Sequence, residues 1–188
     1  MSPSLQTDQA AVADTQQWLH QAVIGLNLCP FAKAVVAKGQ VRYVVCQAAD
    51  PEAVLQVLQT ELQHLAHADP AELDTTLLIA PQLLPDFLDF NAFLLDCESV
   101  LQSLDLDGVL QIADFHPRYQ FAGVDPQDIS NFTNRAPHPT LHLLREDSID
   151  KAVAAFPSAA AIYDTNIATL QDLGHTGWAA LQLPQPKP

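Results

Sequence analysis

Three short apolar runs separated by two helix-length amphipathic stretches fill the chain from Val41 to Phe115 and leave few ways to fold it. Val41 to Gln47 alternates Val41, Tyr43 and Val45 against Arg42, Val44 and Cys46 and is rich in β-branched residues, so it reads as a strand. Asp50-Pro51-Glu52 is a helix start, with Asp50 as cap and Pro51 in the first turn. The stripe Val54, Leu58, Leu62, Leu65 carries that helix to about Ala66. Thr75 to Ala80, stopped by Pro81, reads as a strand covered on both faces. Phe90, Phe93, Leu94, Cys97, Leu101 and Leu104 outline the next helix, and Val109 to Phe115 follows the Asp107-Gly108 turn as a third strand. Strand, helix, strand, helix, strand implies right-handed crossovers and parallel pairing.

The flanks complete the plan. Val12, Leu19, Val23 and Leu26, with Trp18, give a helical stripe over Gln9 to Leu26, ended by Gly25 and Asn27. Thr140 to Arg145 reads as a fourth strand whose direction the sequence leaves open, and Ser148 to Phe156 and Ala159 to Leu173 as helices ended by Pro157 and Gly174. His116 to Pro139 is too long for a plain turn, and Tyr119, Phe121 and Phe132 argue that it is ordered. The expected architecture is α/β: one domain over residues 9–183, with about four strands in a mixed, mainly parallel sheet flanked by helices. A long ordered loop joins the last two strands, and residues 1–8 and 184–188 are expected to be flexible. At 188 residues and 48% hydrophobic, the chain can bury an ample core.

Charge narrows the function classes. The formal net charge of −14 opposes nonspecific nucleic-acid binding, which needs clustered Lys and Arg against phosphate. No window approaches the roughly 20 apolar residues of a membrane span, and Met1 to Asp8 has neither the basic nor the apolar part of a targeting segment. Cys29, Cys46 and Cys97 are odd in number and irregularly spaced, so a reducing, cytoplasmic setting is the expectation. Seven of the eight Lys and Arg fall within Lys33 to Arg42 or Arg118 to Lys151. Cations gathered beside His, Asn and Cys suggest a pocket for a small anionic molecule.

The candidate chemistry sits in those segments. With Pro30 in the first turn of a helix, Cys29 would occupy the N-cap beneath free N–H groups, with Lys33 a turn on, an environment that favours a thiolate. The plain alternative makes Cys29 a small buried hydrophobe, as expected of Cys46 and Cys97. His116 follows the third strand, where open α/β sheets gather ligands, and is the candidate general base. Its alternative is a loop histidine pinned by Pro117. Arg118 could grip a carboxylate or phosphate, or pair with Asp114 or Asp125. Asn131, Asn134 and Arg135 lie within the string Asn131-Phe132-Thr133-Asn134-Arg135, donors suited to an oxyanion and also ordinary turn formers. Arg145 completes the proposed ligand set with Lys33. A zinc site from His116, His142 and Cys29 lacks any familiar ligand spacing, so no metal is assigned. Glycine is scarce and phosphate-loop and dinucleotide patterns are missing, so the sequence leaves the cofactor unknown.

The strings Val23-Ile24-Gly25-Leu26-Asn27-Leu28-Cys29-Pro30-Phe31-Ala32, Phe115-His116-Pro117, Thr133-Asn134-Arg135 and Pro139-Thr140-Leu141-His142-Leu143-Leu144-Arg145-Glu146 together resemble the domain-of-unknown-function 1415 family of bacterial proteins. The likeness spans Gln16 to Lys151 and implies a soluble bacterial protein, with no activity attached. Three functions therefore stand side by side: a small enzyme binding an anionic metabolite at a Cys/His/Arg/Asn pocket, a noncatalytic binding or adaptor domain, and a metal-dependent hydrolase.

Overall fold

The computed structural model describes residues 3–155 and 161–185. Helix α1 (Pro3–Trp18) runs into a π-helical turn over Leu19–Ile24 and a short α2 (Ala32–Ala37). Then come β1 (Val41–Val45), α3 (Pro51–His67), β2 (Thr75–Ile79), α4 (Phe87–Ser103) and β3 (Leu110–Phe115). A 3₁₀ helix over Ile129–Asn134 lies in the long loop before β4 (Thr140–Arg145), α5 (Glu146–Ala155) and α6 (Ile162–Ala180). The expected helix limits at Phe156, Pro157 and Ala159 lie outside the described residues, as do Met1, Ser2 and residues 186–188.

The sheet has the order β1-β2-β4-β3. Only β1 and β2 pair in parallel; β4 lies between β2 and β3 and is antiparallel to both. The expectation of a mainly parallel sheet is therefore corrected: the sheet is mixed and mostly antiparallel. A parallel neighbour requires a crossover that returns the chain to the far end of the sheet. Instead, the loop after β3 stays at one end, so β4 begins where β3 stopped, with Thr140 opposite Phe115 and Arg145 opposite Leu110.

Alternation along the strands sorts the core into two layers. Val44, Leu78, Leu110, Leu141 and Leu143 face α3 and α4, meeting Leu58, Leu62, Phe90 and Leu101. Val41, Tyr43, Leu77 and Phe115 face α1, where Trp18 stands edge-on to Phe115 at 5.0 Å between ring centres. Each large buried side chain of this kind contributes about 1.5–3 kcal/mol. Asp50 and Asp86 cap α3 and α4 by accepting N–H bonds from the first turn. Gly25 stands at the end of the π turn, where a Cβ would lie 2.2 Å from the Gln21 carbonyl oxygen, so the close approach requires glycine. Gly174, at φ 61° and ψ 174°, leaves helical geometry and ends the first part of α6 as expected; a second helical part continues beyond the kink to Ala180.

Candidate functional site

The loop from His116 to Arg135 is braced by side chains bonded to its own backbone. Asn131, 0% exposed, accepts the Phe121 N–H through Oδ1 at 2.9 Å and donates from Nδ2 to the Asp125 carbonyl at 2.8 Å. Asp128 caps the 3₁₀ helix by accepting the Ser130 N–H at 2.8 Å. Asn134 donates its amide to the Asp114 carbonyl at 3.3 Å, and its own carbonyl accepts the His116 N–H at 3.2 Å. Arg135 donates Nε to the Tyr119 carbonyl at 3.0 Å and Nη2 to the Pro126 carbonyl at 2.7 Å, with its guanidinium 4.4 Å from the centre of the Phe132 ring. The donors that the sequence offered to an oxyanion are thus largely spent on shaping the loop.

His116 is 1% exposed and leans on α4, its ring centre 5.0 Å from that of Phe90 and 5.6 Å from that of Phe87. Its Nε2–H donates to the Leu84 carbonyl at 3.1 Å, and Nδ1 accepts the Arg118 N–H at 3.0 Å. One nitrogen donates and the other accepts, which fixes a neutral ring. Burial, with Arg118 nearby, holds its pKa below the ordinary histidine value even though the Leu84 bond pulls the other way. Two residues back on the same side of β3, Asp114 has a buried Oδ2 with no hydrogen-bond partner among the described residues, and burial raises its pKa. The sequence offered Asp114 only as an ion-pair partner of Arg118, and no such pair, nor one with Asp125, is found among the described residues.

Between the start of α4 and this loop lies a cavity of about 390 Å³, lined by residues that include Asp86, Phe87, Arg118, Gln120 and Arg135. No hydrogen bond or ion pair of the Arg118 guanidinium is found among the described residues, and the side chain is exposed. Asp86 and Phe87 went unrecognised as lining residues, although an Asp directly before an apolar run is a helix-start signal.

The remaining candidates lie elsewhere. Cys29 is half-buried against the Trp18 layer, on the α1 side of the sheet, whereas the His116 ring is on the α4 side. The expected N-cap position is also corrected: α2 begins at Ala32 with Phe31 as its cap, and the Cys29 carbonyl accepts the Ala32 N–H at 3.3 Å. Lys33 is exposed on α2. Arg145 stands at the far end of β4, where its guanidinium donates to the carbonyls of Leu65 (2.6 Å) and Ala68 (2.8 Å) at the end of α3 and of Leu73 (3.2 Å) in the connection to β2. His142 faces the α1 side and is bonded to Thr75 Oγ1 at 2.7 Å; because that hydroxyl donates to the Leu143 carbonyl at 2.6 Å, His142 Nε2–H is the donor. Burial pushes the His142 pKa down to about 4. Cys46 and Cys97 are buried core residues, and burial together with Asp96, Glu98 and Asp114 pushes the Cys97 thiol up to about 12. Among the described residues no group of three or more His, Cys, Asp or Glu is placed to hold a metal ion. No helix among them is long and apolar enough to cross a membrane.

Fold and site together define a mixed α/β domain with an arginine-bearing cavity at one end of its sheet. The chain belongs to the family described as "Protein of unknown function (DUF1415)", whose model matches residues 10–180. No curated protein and no solved structure matches it.

Proposed function

We propose that this chain binds a small organic anion in the cavity between the start of α4 and the loop from His116 to Arg135. The observation that carries the reading is the uncommitted guanidinium of Arg118 on a cavity of about 390 Å³ that Arg135 also lines. Small-molecule sites run from about 300 to 1,000 Å³ and combine apolar walls with a few polar groups. Phe87, Leu88, Pro117 and Pro126 supply the walls here. Two guanidiniums against the single carboxylate of Asp86 leave a modest positive balance, which suits a monoanion with an apolar body better than a phosphate dianion. Asn131 and Asn134 act by holding the loop that carries the arginines, and His116 by fixing where that loop leaves β3. The placement of Cys29 across the sheet and the committed nitrogens of His116 favour binding over covalent or acid–base chemistry.

Titration calorimetry with benzoate, citrate and glycerol phosphate tests the reading. An aryl monocarboxylate is expected to bind best, and Arg118→Ala to weaken it about tenfold or more, the worth of a charged hydrogen bond of about 1.5–3 kcal/mol. Equal binding by Arg118→Ala and the parent, or no binding of any of the three probes, would reject it.

A further inference from the structure

Strand β1 is an edge of the sheet, and its register fixes which of its main-chain groups are used. The Cys46 N–H donates to the Ile79 carbonyl at 2.8 Å, and the Thr75 N–H donates to the Gln40 carbonyl at 3.3 Å. Even-numbered residues of the strand therefore point their N–H and C=O groups at β2, and Val41, Tyr43 and Val45 point theirs outward. Among the described residues no strand pairs with that outer side. Protein edges are ordinarily blunted by proline, unpaired lysine or a bulge. Val41–Val45 has none of these. Its one charge, Arg42, is held by Glu61 in a two-pronged contact at 2.8 and 3.2 Å, so the strand itself carries no unpaired charge in a chain of net charge −14.

We propose that β1 pairs with β1 of a second copy of this chain, antiparallel about a two-fold axis at Tyr43, joining two four-stranded sheets into one of eight. Three features select a second copy over another partner. The sequence Val-Arg-Tyr-Val-Val is close to self-complementary about its centre, so Val41 faces Val45 of the other copy and Tyr43 faces its counterpart. Each of those matched residues is an outward-pointing one, the condition for narrow hydrogen-bonded pairs, and the register yields about six main-chain hydrogen bonds. A like-charged surface would repel its own copy, but here each Arg42 brings its own Glu61. Beside the strand, Asp8, Val12, Ala13 and Gln16 of α1 border a groove of about 320 Å³ with Tyr43 and Val45, which the second copy would close over; Asp8 is held there by the Gln47 amide, which donates to its Oδ1 at 2.8 Å.

Sedimentation of the full chain across the micromolar range tests the pairing, together with amide hydrogen exchange. The expected mass rises with concentration to twice 20.5 kDa, and the amides of Val41, Tyr43 and Val45 exchange more slowly as it does. Tyr43→Pro removes an N–H that β2 does not use, so a folded variant is expected to stay monomeric at concentrations where the parent dimerises. If that variant fails to fold, the exchange of the parent's three amides still decides. A chain that is monomeric throughout, a dimer whose three amides exchange as fast as at high dilution, or a folded Tyr43→Pro dimer as tight as the parent would each overturn the proposal.

Discussion

At one end of the sheet Arg145, 8% exposed, gives its guanidinium to the carbonyls of Leu65, Ala68 and Leu73; at the other, Arg118 is exposed with its guanidinium uncommitted. The two residues are chemically identical and differ in what surrounds them. Arg145 ends β4 beside the last turn of α3, where carbonyls lack helical partners and the helix dipole is negative. Arg118 stands in a loop where the carbonyls of Tyr119, Asp125 and Pro126 are already met by Asn131 and Arg135. An arginine becomes a strut where free acceptors crowd it and stays available where they have been satisfied by others.

The sharpest way to break this contrast is to remove the strut. Arg145→Ala is expected to cost about 3 kcal/mol, because one buried and two partly buried carbonyls lose a charged donor. Arg145→Lys should recover only part, since a single ammonium lacks the forked geometry. Urea unfolding measures both, and a loss near zero for Arg145→Ala would make the two arginines equivalent.

The middle of β4, which joins the two ends, makes a prediction of similar size in acid. The pKa of His142 in the folded chain is about 4, against an ordinary 6.5. The unfolded chain therefore takes up a proton first as pH falls. Stability is complete above pH 6.5 and is lost between there and about pH 4, by about 3 kcal/mol for that one group. His116 adds a loss of the same sign below its ordinary value. Asp114 works in the opposite direction: its raised carboxyl pKa penalises the folded state at neutral pH, and the penalty is relieved as that carboxyl protonates. Unfolding midpoints against pH should fall through this window in the parent and fall less in His142→Gln. A flat profile would mean that the β4 histidine is not buried neutral.

At the loop end, Asn131→Ala removes both bonds that tie Phe121 and Asp125 together and leaves a partly buried N–H and a carbonyl without that partner. A cost of about 2 kcal/mol is expected, with faster proteolysis within residues 117–128 than elsewhere. Uniform proteolysis would show that the loop does not depend on its own side-chain bracing.

The elements that packing dictates were readable in the sequence, because their signals are local. Asp50 with Pro51 marked the start of α3, Val54, Leu58, Leu62 and Leu65 marked its buried face, and the apolar run over Thr75–Ile79 marked a fully covered strand. Sheet direction was not readable. It turns on whether the 24 residues of the His116–Pro139 connection cross the sheet or stay at one end, and no residue in that connection states its destination. The site was half legible for a related reason. The motif strings located the cavity loop, yet residue type could not separate Arg118 from Arg135, or His116 as a base from His116 as a pinned ring. Those distinctions depend on carbonyls of Leu84, Tyr119 and Pro126, groups that every sequence contains and none advertises. Cys29 failed to join the site because the segment that carries it packs in the Trp18 layer on the α1 face of the sheet, opposite the His116 ring.

The smallest effect on stability is expected at Arg118, and its smallness is what gives the comparison its force. Its side chain holds no partner among the described residues, so Arg118→Ala forfeits only exposed contacts and should shift unfolding by under about 0.5 kcal/mol. The Arg118 main-chain N–H, which His116 Nδ1 accepts, survives the substitution. The same variant is expected to bind the aryl monocarboxylate about tenfold more weakly or worse. Unfolding and calorimetry on one preparation therefore separate the roles that Arg145 and Arg118 divide between them. A cost at Arg118 approaching that at Arg145 would place it among the struts, and the cavity would then be a by-product of how the loop is braced.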